Sequence, residues 1–412
     1  MRNRHFLLAF PRLFKFAERQ FYWMAHDLIT LIWYRKTHLK NTYKLGASLT
    51  HDSTDAAKSP SFTNLSSLNS KFDKGLSILT WPNNKPRFDH LRNLGIFDCT
   101  PGVDSLGEAF YHPRSIGLYR SNGDQIAASQ TFRGTTPREQ ISTPPSKDFS
   151  AGTTILDPRS MVYMGPLFGQ YGHFLTETIA RLWYVVETKY EGSLLFHGAE
   201  DQLNLGFVKS FFELLGISRD RLLTFNSPTR LENVVVPYPS MSNRAEIFHC
   251  HQWVAKLVTE TQLKSRTRES SSQPLFFSRT RLKAGRSRYY GEEKLERYLK
   301  KKQVLIVDPQ TLDLQTQIEL VNRHDTVIGI QGSALHNLLF SLDPKKVLYL
   351  CSNPGGNYVL IDAVKNNEAM YACCLESLEG PEFVRAWPGK RFKHHYFIVW
   401  DNAIQALKNF GI

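Results

Sequence analysis

Cysteine is scarce in this chain: five in 412 residues, an odd number. No two are spaced Cys-x-x-Cys, and only Cys373 and Cys374 stand together. That excludes a disulfide-stapled secreted scaffold and a zinc ribbon, and a reducing compartment is the simplest reading. Long apolar runs are missing as well. In the amino-terminal block the longest, Phe21–Tyr34, is interrupted by His26 and Asp27, and a bilayer span needs about 20 apolar residues. Leu7–Phe10 stops at Pro11, short of the roughly 7–15 residues of a secretory h-region. There is no Asp-x-Asp to hold a divalent ion. An acidic excess is absent too: 51 Lys and Arg against 38 Asp and Glu give +13. This rules out an acidic disordered protein and directs attention to anionic partners. What is present is an ordinary globular complement, 42% hydrophobic and 22% charged, with room for two or three domains at roughly 150 residues each.

The positive charge is concentrated in two blocks. Residues 1–46 carry nine Lys/Arg against two acids, and residues 264–302 carry thirteen against four. Uniform basicity would suit a nucleic-acid coat, whereas two blocks suggest two local tasks. The first block interleaves its cations with Phe14, Tyr22, Trp23, Trp33 and Tyr34. Such a pattern suits a basic amphipathic helix over residues 1–45 lying on an anionic membrane surface. A core-packing helix with a solvated basic face gives the same pattern.

Residues 46–75 are rich in Ser, Thr and Asn and read as a linker or loop. Strands are expected near Ser77–Thr80, Ser115–Tyr119 and Gln125–Thr131. From about residue 152 strands and helices alternate, including a helix over His173–Lys189 and a long one over Glu246–Arg268. Strands of four to six residues between helices imply parallel sheets covered on both faces, an α/β fold. The Arg/Ser-rich stretch Lys264–Gln273 divides two such units, giving domains over 76–270 and 271–412.

Three segments carry chemistry. In the first, a strand ends, a glycine-rich loop follows, and a helix opens with Gly172-His173-Phe174-Leu175-Thr176-Glu177. On one continuous helix His173, Glu177 and Arg181 would share a face. That places a possible base or sugar-hydroxyl acceptor between two basic groups; a surface salt-bridge ladder gives the same spacing. In the second, Phe276-Phe277-Ser278-Arg279 ends a strand before a basic loop that includes Arg281, Lys283, Arg286 and Arg288. Guanidinium forks there can bind phosphate bidentately. In the third, the strand Thr326–Ile330 runs into Gln331-Gly332-Ser333 and a helix carrying Leu335, Leu338, Leu339 and Phe340. Small residues at such a turn let a ligand approach the free amides, with Ser333 able to cap the helix. In open α/β sheets ligands sit at the carboxyl ends of strands.

In order and spacing these segments resemble the family 61 glycosyltransferases. Gly172–Glu177 matches that family's Gly-His-Phe-Leu-x-Glu segment, and Arg279 with Arg288 looks like its pair of arginines. Gly329–Asn337 is similar to its Gly-x-His-Gly-Ala-x-Leu-x-Asn segment, with Gln317 upstream. Two departures stand out: the family's histidine is Gln331 here, and the Asn before Glu292 is Gly291. The resemblance implies a GT-B-like arrangement, two doubly wound, Rossmann-like domains facing a cleft, with 76–270 on the acceptor side and 271–412 holding the donor. It implies inverting, metal-independent transfer of a sugar, hexose or pentose, from a nucleotide sugar, a UDP-sugar foremost, to a glycan or lipid-linked acceptor in surface polysaccharide synthesis. The catalytic residues expected are His173 or Glu177 as base, with Arg181 orienting. Donor binding falls to Arg279, Arg288, Gln317, Gln331, Gly332, Ser333 and Asn337. No metal ligands, no cofactor and no nucleic-acid partner are expected. The expected location is cytoplasmic, peripheral on an inner membrane, with the secretory lumen as alternative. Two other classes compete: a non-catalytic relative that binds glycan or organises assembly, favoured by Gln331, and a basic nucleic-acid-binding protein, favoured only by a pI near 9.4.

Overall fold

In the computed structural model, the residues described are 62–64, 76–79, 94–133, 136–137, 155–242, 246–263, 270–377 and 392–412. The basic segment 1–45 lies outside them, and those described belong to one unit, Pro60–Ile412. Two seven-stranded sheets organise it.

The carboxy-terminal sheet runs, edge to edge, Phe62–Asn64, Leu76–Leu79, Glu368–Cys373, Lys346–Cys351, Thr326–Ile330, Leu275–Phe277, Leu305–Val307. All neighbours are parallel except the first pair. From Leu275–Phe277 the chain crosses to one side to form Leu305–Val307, then returns to the other side for Thr326–Ile330. The winding therefore reverses between these two crossings, and a crevice opens where strands on either side send their connections to opposite faces. Both faces are covered. Leu275, Phe277, Val327 and Val347 pack with Leu314, Ile318 and Val359. Phe276, Ile328 and Leu348 pack with Leu295, Leu299 and Leu407 on the other side. Alternate residues of one strand thus enter two cores, which explains the near-continuous apolar runs.

In the amino-terminal sheet Val103–Leu106 pairs antiparallel with the end of Thr229–Pro237, and the main path runs Leu222–Leu223, Ser193–His197, Ile155–Pro166, Thr229–Pro237, Ala109–His112, Ser115–Tyr119. Its first four strands are parallel and the last two antiparallel. Its inner face, Val162, Met164, Leu194 and Phe196, joins the same apolar core as Phe277 and Val327. The two sheets therefore share a core, bridged by the helices Tyr171–Thr176, Gly206–Leu214 and His251–Leu263.

Several elements differ from the sequence reading. Leu76–Leu79, expected in the acceptor-side half, is hydrogen bonded into the carboxy-terminal sheet, and Phe62–Asn64 of the expected linker pairs with it. The expected strand Gln125–Thr131 holds instead a 3-10 turn, Ala127–Ser129, where the Ser129 hydroxyl donates to the Ile126 carbonyl at 2.6 Å. The expected helix Glu246–Arg268 begins as a strand, Glu246–Phe248, and among the described residues its helical part is His251–Leu263. The basic loop after Arg279 is in part a strand, Gly285–Tyr290, parallel to Phe392–Ile398. Charged side chains on a partly exposed edge conceal the two-residue alternation on which strand recognition depends.

A buried carboxylate ties the crossing near the centre of the carboxy-terminal sheet. Asp362 accepts from Tyr349 Oη at 3.0 Å, Tyr371 Oη at 2.5 Å and Asn367 Nδ2 at 2.8 Å. Burial pushes its carboxyl up to about 7, against the lowering effect of these three donors. The folded state then holds a proton that the unfolded chain, ionising near pH 4, has released. Stability from this group should fall as pH rises from about 4 to about 7 and level off above. Asp362→Asn removes that titration, so the destabilisation it causes should be greater at pH 5 than at pH 8 by about 2 kcal/mol. Urea unfolding of both proteins at the two pH values measures this; an equal difference at both would contradict it.

Candidate active site

A cavity of about 860 Å³ opens at the reversal of the carboxy-terminal sheet. Its size falls within the range of small-ligand sites. Strand Leu275–Phe277 delivers Arg279 to it, and Thr326–Ile330 delivers Gln331, Gly332 and Ser333. The turn after Ile155–Pro166 brings Gly172 and His173 to the opposing wall.

The two walls nearly touch at glycines. A Cβ on Gly332 would lie 2.0 Å from Arg279 Nη1, so only glycine lets the guanidinium lie across the turn. A Cβ on Gly172 would meet Ser333 Oγ at 3.1 Å and His336 Cε1 at 3.2 Å. A polar chain fastens the same seam. Tyr171 Oη donates to Asn337 Oδ1, and Asn337 Nδ2 donates to Gln317 Oε1 at 2.7 Å. Gln317 Nε2 in turn donates to the carbonyls of Pro309 at 3.0 Å and Leu312 at 3.1 Å. Burial pushes the Tyr171 phenol up, which keeps its proton in place as donor.

Arg279 is held from behind. Its backbone N–H donates to Glu292 Oε1 at 2.6 Å, and its guanidinium lies over the Tyr289 ring, 5.2 Å from the centroid. Burial pushes the Glu292 carboxyl up to about 8, against that hydrogen bond and the positive charge of Arg279. Arg279 Nε is buried and has no partner among the described residues. An unpaired buried cationic donor at a cavity wall is a group awaiting an anion.

On the opposing wall, His173 Nδ1 is hydrogen bonded to Glu177 Oε1. Glu177 is buried behind His173, which lines the cavity. With Nδ1–H given to the carboxylate, Nε2 is left as the ring nitrogen able to accept a proton.

Other expected site residues are placed elsewhere. Arg181 does not share the face of His173. The expected helix breaks at Glu177 (φ −127°, ψ −47°), and Thr178–Arg181 winds as a 3-10 turn. Thr178 Oγ1 causes the departure, donating to the Pro166 carbonyl at 2.9 Å and accepting from the Phe168 N–H at 3.0 Å. Arg181 is buried in the core. It donates from Nε to the Pro237 carbonyl and from Nη2 to the carbonyls of Ala128 and Gln130, each at 2.8 Å. Burial pushes its pKa down to about 10. Arg288 turns away from the cavity, donating to the Thr280 carbonyl at 3.0 Å and Glu293 Oε1 at 2.9 Å. Arg286 lines the cavity in its place. Asn337 is buried in the seam. Gln317 and Gln331 line the cavity, but their amides serve the protein. Gln331 donates to the Asn353 carbonyl at 2.8 Å and accepts from the Gly355 N–H at 2.8 Å, fixing the loop after Lys346–Cys351. Ser333 is no cap: Gly332 holds the N-cap position without a side-chain bond.

The sequence singles out neither Glu292, Tyr289 nor His336 as a site residue, and Arg286 only as one of several cations in the basic loop. A Glu at the first position of a helix was the available signal for Glu292, but nothing one-dimensional distinguishes a buried brace from a surface first-turn acid. Among the described residues no three His, Cys, Asp or Glu side chains are grouped to share a metal ion, and no helix is long and apolar enough to cross a membrane.

The family model for glycosyltransferase 61 matches residues 171–349. This span runs from the first wall of the cavity through the strand beyond its second, and it bears out the resemblance read from the sequence. The match supports glycosyltransferase activity in general. Sugar donor and glycan acceptor are the substrates such a family implies. No curated protein matches the chain.

Because Arg181 is a strut between loops rather than a site residue, Arg181→Lys should lower stability by about 1–3 kcal/mol through unpaired carbonyls. Ligand affinity should stay unchanged. Denaturant unfolding measures the first; an unaltered midpoint would contradict the assignment.

Proposed function

We propose that the chain transfers a sugar from a nucleoside-diphosphate donor, a UDP-sugar foremost, to a hydroxyl of a glycan or lipid-linked acceptor, with inversion and without a metal ion, in surface polysaccharide synthesis. The observation that carries this is the pairing across one cavity of Arg279, whose buried Nε has no partner among the described residues although Nη2 donates to the Ser287 carbonyl at 3.4 Å, with an imidazole–carboxylate pair, His173–Glu177. In this reading the diphosphate lies at the sheet reversal, against Arg279, Arg286 and the Gly332–Ser333 turn. The acceptor hydroxyl approaches from the His173 side. Its oxygen attacks the anomeric carbon as the bond from that carbon to the diphosphate oxygen breaks. The hydroxyl proton passes to His173 Nε2, and the charge left on the diphosphate is balanced by the guanidiniums. Glu177 fixes the tautomer of His173 and stabilises the imidazolium that forms. The amino- and carboxy-terminal halves would serve as acceptor and donor sides of a GT-B-like layout. The basic amino-terminal segment would hold the enzyme on an anionic membrane surface.

Two variants separate the roles. Arg279→Ala should weaken UDP binding at least tenfold, from the loss of a charge-assisted contact of about 1.5–3 kcal/mol. The fold should survive, because the bond to Glu292 is made by the backbone. His173→Ala should leave UDP affinity unchanged and cut turnover by about 10²–10⁴. Calorimetry and a sugar-release assay over a panel of nucleotide sugars measure these. Unchanged UDP affinity in the arginine variant, or full turnover in the histidine variant, would overturn the assignment.

A further inference from the structure

A second unpaired polar atom lies on the same cavity wall as Arg279. His336 lines the cavity, is 6% exposed, and its Nε2 is buried without a partner among the described residues. The ring is fixed on three sides. Gly172 packs on its Cε1–Nδ1 edge, Tyr358 lies tilted 4.5 Å from it by ring centroids, and Nδ1 is 3.2 Å from the Ser333 carbonyl. A carbonyl only accepts, so Nδ1 carries the hydrogen and Nε2 presents a lone pair. Burial, helped by nearby His173 and opposed by the Ser333 carbonyl, pushes its pKa down to about 4, so the ring is neutral. A neutral nitrogen lone pair is wrong for a phosphate, which has only acceptor oxygens to offer once ionised. It is right for a hydroxyl.

The position narrows which hydroxyl. His336 is one helical turn beyond Gly332 and Ser333, and Arg279 Nη1 lies against Gly332. The cavity thus sets a cationic donor and a neutral acceptor on either side of one short turn. A ligand that satisfies both carries a phosphate and, a few bonds away, a hydroxyl. Gln331 Oε1 already accepts from the Gly355 N–H, whereas His336 Nε2 is an acceptor with no partner among the described residues.

We propose that His336 is the residue that reads the transferred sugar, its Nε2 accepting a hydrogen bond from a sugar hydroxyl next to the diphosphate. This rests on the nucleotide-sugar reading above, and it makes His336 a specificity-determining group, distinct from the base His173.

The test is calorimetry on the full chain with UDP, GDP and dTDP, and with the glucose, galactose, xylose, mannose and rhamnose derivatives of each where they exist. With the sugar nucleotide that wild type binds best, His336→Leu should lose about tenfold in affinity, while the free nucleoside diphosphate stays within about twofold. His336→Gln, whose side-chain oxygen can stand where Nε2 does, should recover most of the loss. Deoxy analogues of that sugar nucleotide should include one that wild type binds about tenfold more weakly and that His336→Leu fails to distinguish from its parent. Equal affinity of wild type and His336→Leu for the sugar nucleotide would overturn the proposal. So would a parallel loss for the free nucleotide, which would mark His336 as a structural residue. If wild type binds the nucleoside diphosphates and His336 has no effect, this inference fails alone. If it binds none of the nucleotides or sugar nucleotides, the functional reading fails with it.

Discussion

The seating of the Gly172–His173 turn on the Gly332–Asn337 segment is the contact from which the site follows. It exists because Gly172 offers no side chain to Ser333 and His336, and because Asn337 exchanges hydrogen bonds with Tyr171 and Gln317. The seam joins residues about 160 positions apart, so its entropic cost is met by the shared apolar core beneath it. Phe174 and Leu175 from one side and Leu335, Leu338 and Leu339 from the other lie in that core. An imidazole borne by the amino-terminal half is thereby held over a cavity whose floor belongs to the carboxy-terminal half.

The chemistry of the cavity comes from what its walls leave unsatisfied. Native interiors pair their polar groups, and those that remain unpaired draw attention to function. Here Arg279 Nε and His336 Nε2 are both buried without a partner among the described residues, and both side chains adjoin the Gly332–Ser333 turn. By contrast the amides of Gln317, Gln331 and Asn337 are engaged within the protein. The family's histidine position is thus occupied by a residue that fixes a loop, while an imidazole stands five residues later, one turn along. Glu292 completes the arrangement from behind, its buried carboxyl holding the Arg279 backbone where the strand ends.

Much of this was legible in the sequence. Alternating short strands and helices gave the α/β class, and the apolar strand Thr326–Ile330 ending in Gln331-Gly332-Ser333 located one wall. Arg279 at the end of Phe276-Phe277-Ser278 and His173 after the glycine loop were readable for the same reason: strand ends in such sheets face ligands. Arg181 was not, because four-residue spacing implies one face only while a helix continues, and Thr178 breaks it by bonding back to Pro166. Arg286 and Arg288 are alike in sequence. Only the course of the strand Gly285–Tyr290 and the carbonyl of Thr280 decide which one reaches the cavity. His336 was hidden among apolar neighbours that mark a core helix, and only its missing partner in three dimensions distinguishes it. The placement of Leu76–Leu79 in the distant sheet could not be read locally, since strand pairing across nearly 300 residues leaves no short-range trace.

The account makes the diphosphate the ligand of guanidiniums and backbone amides, with no metal between them. Calorimetric titration of the full chain with UDP, GDP and dTDP, each with and without EDTA, tests that most directly. The account predicts saturable binding of at least one of them with an affinity that the chelator does not change. Binding that vanishes with EDTA, or no binding of any of the three, would contradict it.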